Sequence, residues 1–352
     1  MLRDRLWGVF KELLFRMDAE RVHRLTVWII RWGNRFPGKA PLRIASGAGQ
    51  ALDAGTVEVL GVRYRSRLGL AAGFDKDAEI VEALPELGFG FAEIGTVTPR
   101  PQPGNERPRL FREPLRQAIF NRMGFNGHGA LLAAQRLAIA RPKLPDGFRI
   151  GVNLGKNKDT PNEHAARDYG LAAAPFEGLA DYLVINISSP NTPGLRALQT
   201  LEAVKPILET VQDAIRGWKF RPPIFLKLAP EVIGAALMEF VGAAESSGVE
   251  GWVLTNTLGG RFEVSQEKVL EGGWSGLPVI EASRESLRTV RSVSRKPIIS
   301  VGGILSVEEA WKRVEMGADL VQIYSGWIFR GPAFPAEISR FLAEKSKHSS
   351  DR

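Results

Sequence analysis

From about residue 60 the chain alternates short apolar runs with helix-like stretches, and this alternation limits its possible folds more than any other feature. Strand-like runs fall at Leu68–Ala71, Phe91–Val97, Ile150–Leu154, Tyr182–Ile187, Ile224–Leu228, Trp252–Thr255, Pro297–Val301 and Leu320–Tyr324. Helical stretches such as Glu231–Ser246 and Val307–Met316 lie between most of them. Eight βα units over roughly 280 residues match an α/β chain of the (β/α)8 TIM-barrel type, which takes ~250 residues plus insertions. A doubly wound sheet would use fewer strands, and no GxGxxG opens a helix after the first strand, so a dinucleotide fold is disfavoured. Leu60, Val62 and Tyr64 read as a small hairpin arm, while Gly47-Ala48-Gly49 and Gly88-Phe89-Gly90 read as turns.

Three connections are too long to be simple turns: Thr98–His128, Ser188–Gln199 and Thr257–Pro278. Each follows a strand, which puts it on the catalytic face of a barrel, and long loops in compact domains tend to be lids or binding loops. The strand ends themselves are polar. Lys76 follows the first and Thr96 ends the second; Asn153 belongs to the third, Asn186 and Ser189 to the fourth. The fifth carries Lys227, the sixth Thr255-Asn256-Thr257, the seventh Gly302-Gly303 and the eighth Tyr324-Ser325. A lone buried lysine is explained by an ion pair and a lone asparagine by a turn. Polar residues or paired glycines at every strand end, converging on one rim, point instead to a site.

That rim suits a flavin. Glycines and small polar residues after strands seven and eight let backbone amides approach a phosphate. Lys227 projecting inward would stabilise negative charge on a reduced ring. Asn153 and Asn186 can each serve both a donor and an acceptor of a neutral amide ring.

The chain has no cysteine, which removes thiolate catalysis, iron–sulfur clusters and cysteine-ligated zinc. Its four histidines share no helical metal spacing, so no metal is expected. Net charge is +8, but residues 1–43 hold ten Lys+Arg against four Asp+Glu, leaving 37 against 35 in the rest. The basic character therefore belongs to the N-terminal segment, and the near-balanced remainder argues against a nucleic-acid module.

In that segment Leu6, Phe10, Leu13 and Leu14 sit at helical spacing among Arg3, Arg5, Lys11 and Arg16. Asp18 is a fitting N-cap for a second helix from Ala19 to about Trp32, stopped by Gly33, Asn34 and Pro37. Val22, Thr26 and Ile29 form one stripe, with His23, Val27 and Ile30 beside it. The longest apolar run, Leu25–Ile30, falls far short of the ~20 residues that span a bilayer. Two basic amphipathic helices with Trp7, Trp28 and Trp32 read as an interfacial anchor on an anionic lipid surface; the plainer alternative is a helical pair packed on its own domain. The expected division is residues 1–45 as this segment and 46–352 as the catalytic barrel.

From about Met17 to Phe334 the chain closely resembles the dihydroorotate dehydrogenases. The motifs that carry the resemblance are Ala72-Gly73-Phe74-Asp75-Lys76, Glu93–Pro101, Asn121-Arg122-Met123-Gly124-Phe125-Asn126, Ile187–Arg196, Gly302-Gly303-Ile304 and Val321–Gly326. Serine at position 189, where related enzymes carry cysteine, points to the membrane-associated, quinone-using class. The resemblance implies FMN held by Ala72, Gly73, Lys76, Thr96, Asn153, Asn186, Lys227, Thr255, Gly276, Gly303, Tyr324 and Ser325. It implies dihydroorotate or orotate against Lys76, Asn121, Arg122, Met123, Gly124, Phe125, Asn186, Asn191, Asn256 and Thr257, with Ser189 as the base. His23 and Arg112 match residues that line a quinone tunnel, Asp75 is expected to orient Lys76, and no obligate protein partner is expected. The implied setting is peripheral, on the cytoplasmic side of the cell membrane. Phe74 is bulkier than the expected leucine, Leu258-Gly259-Gly260 is a glycine-rich variant, and Leu14 replaces a polar residue. Soluble dihydroorotate dehydrogenases and dihydrouridine synthases are rival readings, but both call for a cysteine this chain lacks. A degenerate barrel serving as a membrane scaffold is the non-enzymatic alternative.

Overall fold

The computed structural model describes residues 2–47, 55–192 and 194–350. Eight strands close into a parallel barrel: β1 (Leu68–Leu70), β2 (Phe91–Val97), β3 (Arg149–Leu154), β4 (Tyr182–Asn186), β5 (Ile224–Leu228), β6 (Gly251–Leu254), β7 (Ile298–Val301) and β8 (Leu320–Ile323). Each pairs with its neighbour in chain order, and β8 closes on β1 through Val321 opposite Leu68. Side chains of one parity, including Phe91, Tyr182, Val184, Phe225, Val253, Ile299 and Leu320, pack together inside the barrel. The other parity, including Ala92, Ile94, Val152, Leu183 and Ile185, packs outward with the helices. Both faces are thus buried, which is why these strands read as continuous apolar runs. The interior rings are fitted by glycine: a Cβ on Gly151 would lie 2.1 Å from the Tyr182 ring, and one on Gly251 2.2 Å from Phe225.

The expected strands are all present, most within one residue of their anticipated ends. Between β1 and β2, however, the α-helix is replaced by a 3-10 stretch, Val81–Leu87, interrupted by Pro85. Two of the expected long loops are also not loops. Leu110–Glu113 and Ala118–Asn121 from the first pair with Leu258–Ser265 and Lys268–Gly276 from the last, making a four-stranded antiparallel cap sheet. Its glycines and charges give weak strand propensity, but Phe111, Phe120, Phe262 and Trp274 form an aromatic cluster that holds it together. The hairpin arm is real, with Val57–Val59 paired to Val62–Tyr64.

At the N-terminus, helix α1 spans Leu2–Phe15 and α2 spans Ala19–Gly33. The Asp18 carboxylate accepts the Arg21 N–H at 2.8 Å, the expected cap. Val27 and Ile30 join the main core and His23 packs edge-on against Phe74, so this stripe faces the barrel. Leu25, Trp28, Ile29 and Trp32 point outward. Trp7 departs from the expected interfacial trio: its indole N–H donates to Phe329 O, which turns it toward the barrel. The side chains of Arg3, Arg5 and Leu6, and residues 48 and 49 of the expected Gly47-Ala48-Gly49 turn, lie outside the described residues.

Candidate active site

At the C-terminal ends of the strands a cleft opens beneath the cap sheet. Strand parity decides what reaches it. Asn153, Asn186, Lys227 and Gln322 share the inward phase of their strands, one step above the apolar rings, with Asn186 directly opposite Lys227. Lys227 and Gln322 line the floor. Both donate to the carboxylate of Glu93 on β2, at 3.4 and 2.8 Å, and Asn153 Nδ2 donates to it at 2.7 Å. The wall continues upward as Asn186 Nδ2 donates to Thr96 Oγ1 at 3.0 Å and Asn153 Oδ1 at 3.1 Å. Asn256 Nδ2 then donates to Asn186 Oδ1 at 3.1 Å and Ser188 Oγ at 3.0 Å.

Ser189 follows β4 and faces the cleft. Its hydroxyl oxygen accepts the Asn191 N–H at 3.2 Å, and no histidine or carboxylate hydrogen-bonds to it among the described residues. Asn191 Nδ2 donates to Asn121 Oδ1 at 2.7 Å, which ties this loop to the cap sheet. The buried Oδ1 of Asn191 and Oε1 of Gln322 have no protein partner. Both residues line the cleft, which leaves two acceptors for a ligand.

Lys76 donates to Gly73 O at 2.8 Å, and burial, with help from the Arg109 charge, pushes its ammonium down to about 8. Asp75 does not orient it. The carboxylate instead accepts the N–H groups of Glu79 and Ile80, at 2.7 and 2.9 Å, and burial raises it to about 6.

Of the expected contacts, Ala72, Gly73, Thr96, Met123, Gly124, Phe125, Thr255, Thr257, Gly303, Tyr324 and Ser325 join these residues around the cleft. Asn153, Arg122 and Gly276 do not line it. Asn153 is fully buried behind Thr96 and Asn186, where it braces the wall. His23 and Arg112 do not line the cleft either. His23 packs on Phe74, whose ring lies 5.5 Å from the cleft-lining Tyr324, while burial and then the Lys76 charge push the imidazole down to about 3. Arg112 donates to Leu14 O at 3.0 Å and to Met17 O, holding the turn between α1 and α2. Sequence reading assigned no role to Glu93 or Gln322. The signal for both was parity, since each lies two residues on from an inward apolar residue, Phe91 and Leu320.

A closed (β/α)8 barrel with a buried polar cleft at the C-terminal rim, roofed by the cap sheet, has the architecture of a barrel enzyme. The dihydroorotate dehydrogenase family profile matches residues 55–345. The chain is 42% identical over 96% of its length to dihydroorotate dehydrogenase (quinone) of Roseiflexus castenholzii, covering 92% of that protein. Its identity to the protein of the same name from Christiangramia forsetii is also 42%, covering 98% of it. The crystal structure of Eimeria tenella DHODH in complex with ferulenol superposes with a TM-score of 0.83 at 32% identity, over 94% of this chain and 92% of that one. This chain belongs to the dihydroorotate dehydrogenase family and is an oxidoreductase.

Proposed function

We propose that the chain oxidises dihydroorotate to orotate in de novo UMP synthesis, with FMN as bound acceptor and a membrane quinone as final acceptor. One observation carries the reading: Ser189, Lys76 and the amides of Asn121, Asn186, Asn191 and Asn256 converge on a single cleft above Lys227. The quinone-linked names of the relatives support the choice of acceptor. The residues present fit FMN. A ring carrying both N–H and C=O groups would find the orphaned acceptor of Gln322 on the floor of the cleft, and Lys227 beside it would stabilise negative charge on the ring. Gly303 has no room for a side chain, since a Cβ there would lie 2.6 Å from that of Ile280, so its backbone is left to face a phosphate. Bound FMN would supply the two-electron chemistry, as hydride acceptor toward the substrate and electron donor toward the quinone.

The chain's own residues do the rest. Lys76 pairs with the substrate carboxylate. The asparagines read the ring amides, and a pocket built for those hydrogen bonds rejects rings that lack them. Ser189 takes the acidic proton next to the ring carbonyl. A serine hydroxyl is a weak base in water, so the 188–199 loop must close over it to exclude solvent.

In this reading residues 1–45 form the membrane and quinone segment and 46–352 the catalytic barrel. No described helix is long and apolar enough to cross a membrane. Phe10, Leu13 and Trp28 are each about 60% exposed, 59%, 60% and 61%, on a segment rich in Arg and Lys, which fits a peripheral seat on anionic lipid at the cytoplasmic face. The quinone passes between α1 and α2 toward His23 and Arg112, with His23 neutral at physiological pH. The test is anaerobic mixing with dihydroorotate while the visible flavin band is followed. Bleaching, with recovery on a soluble quinone but not on NAD, is expected. A flavin band that dihydroorotate leaves untouched would refute the substrate, and recovery on NAD would refute the acceptor.

A further inference from the structure

Glu93 has no part in the chemistry above, yet it sits beneath its centre. It occupies the middle of β2 with 0% exposure, and it does not itself line the cleft. A carboxylate so placed is costly to ionise unless it is paired and hydrogen-bonded. Asn153 and Gln322 supply the hydrogen bonds, and Lys227 Nζ, 3.4 Å away, is its ion-pair partner. Lys227 is only 5% exposed. The pair is neutral as a whole, with its positive end toward the cleft and its negative end in the barrel. A ligand on the floor therefore feels a lysine whose field is partly cancelled from behind.

We propose that Glu93 tunes the reduction potential of the bound flavin by setting how strongly Lys227 favours negative charge above it. The assignment rests on the FMN reading of the site. Two electrons and one proton taken up by a neutral flavin leave one negative charge on the ring. Lys227 stabilises that charge, and Glu93, one contact further away, opposes it. The balance holds the potential below what an unopposed lysine would give, which eases transfer of the electrons onward to a quinone. Glu93 is thus a positioning residue acting through Lys227.

The test is the two-electron midpoint potential of the full-length, FMN-loaded chain and of Glu93→Gln. The substitution is nearly isosteric, but Gln322 must turn its amide to accept from the introduced one, which takes an acceptor from the cleft, so Glu93→Asp, which leaves Gln322 donating, is measured beside it. Removing the opposing charge is expected to favour the reduced flavin about tenfold, a rise of about 30 mV. An unchanged or lowered potential would overturn the assignment, because a brace for Asn153 and Gln322 alone predicts no rise. Glu93→Asp keeps the charge but draws it back by one methylene. It should shift the potential the same way, by about threefold, and an unmoved or lower value again overturns the assignment. A wild-type chain that binds no flavin defeats the cofactor reading as well. A wild-type flavin with an unmoved variant potential defeats only the role of Glu93.

Discussion

The rim of the barrel and the N-terminal helical pair are built on opposite plans. Along the wall of the cleft, strands fix the direction of Glu93, Asn153 and Asn186, and the hydrogen-bond chain from Glu93 through Asn153 and Asn186 to Asn256 fixes their amides. The helical pair rests on one stripe and a few ion pairs. Arg109 grips Glu20 with two hydrogen bonds, of 3.0 and 2.8 Å, and Arg31 meets Glu79 at 2.6 Å. Burial works to raise the Glu20 carboxyl, yet Arg109 and Arg107 hold it below its usual range. The wall of the cleft is cross-linked from strand to strand, whereas the pair is attached at points. Electrons arriving from the substrate and electrons leaving for a quinone should therefore be separable by single substitutions.

The largest effect tests the attachment. Arg109→Met leaves Glu20 buried without its main partner, which should cost about 3–5 kcal/mol in chemical denaturation. Quinone turnover should fall while reduction by dihydroorotate survives; equal loss of both would erase the division between the regions. Next comes the rim. Ser189→Ala should slow flavin reduction by roughly 10²-fold or more in stopped flow and leave reoxidation by quinone intact. A normal reductive rate would remove Ser189 from its role.

A pH series is subtler. Lys76 is held at about 8 in the folded chain against an ordinary 10.5, so it loses its charge as pH rises through 8. KM for dihydroorotate should climb about tenfold per unit above that point. The unfolded chain keeps the proton up to 10.5, so this one group makes the free protein more stable between pH 8 and 10.5. Opposite trends in affinity and stability are the signature to seek, and a flat KM would exclude Lys76 as the carboxylate partner. The smallest effect is at the outer face. Trp28→Ser should weaken binding to anionic vesicles roughly fivefold and leave turnover with a soluble quinone unchanged.

The two regions also differ in how far they could be read from sequence. The barrel strands stood out because burial on both faces removes polar residues from them, and their polar ends then stood out against that background. The cap sheet did not, since Leu258-Gly259-Gly260 and Glu271-Gly272-Gly273 look like turns until Phe262 and Trp274 are seen packed on Phe111 and Phe120. Glu93 was hidden because a carboxylate inside an apolar run says nothing of which partners reach it from three other strands. In the helical segment, helix ends and the Asp18 cap were legible from local chemistry. Which tryptophan faced inward was not, because Trp7 is turned by a carbonyl more than 300 residues away, at a separation of 322.

The cap sheet joins two distant parts of the chain: Asn121 and Gly273, paired across its middle, are 152 residues apart. Ordering so long an intervening segment carries a large entropic cost unless that segment has already collapsed. The roof of the cleft should therefore form only after β3, β4, β5 and β6 have found one another. It should also be among the first parts to open in the native state, with amides between 258 and 276 exchanging ahead of those in β2 and β4. A cleft whose lid is the last piece assembled stays open to solvent while the floor is built, and a large planar ligand can enter before the lid is in place.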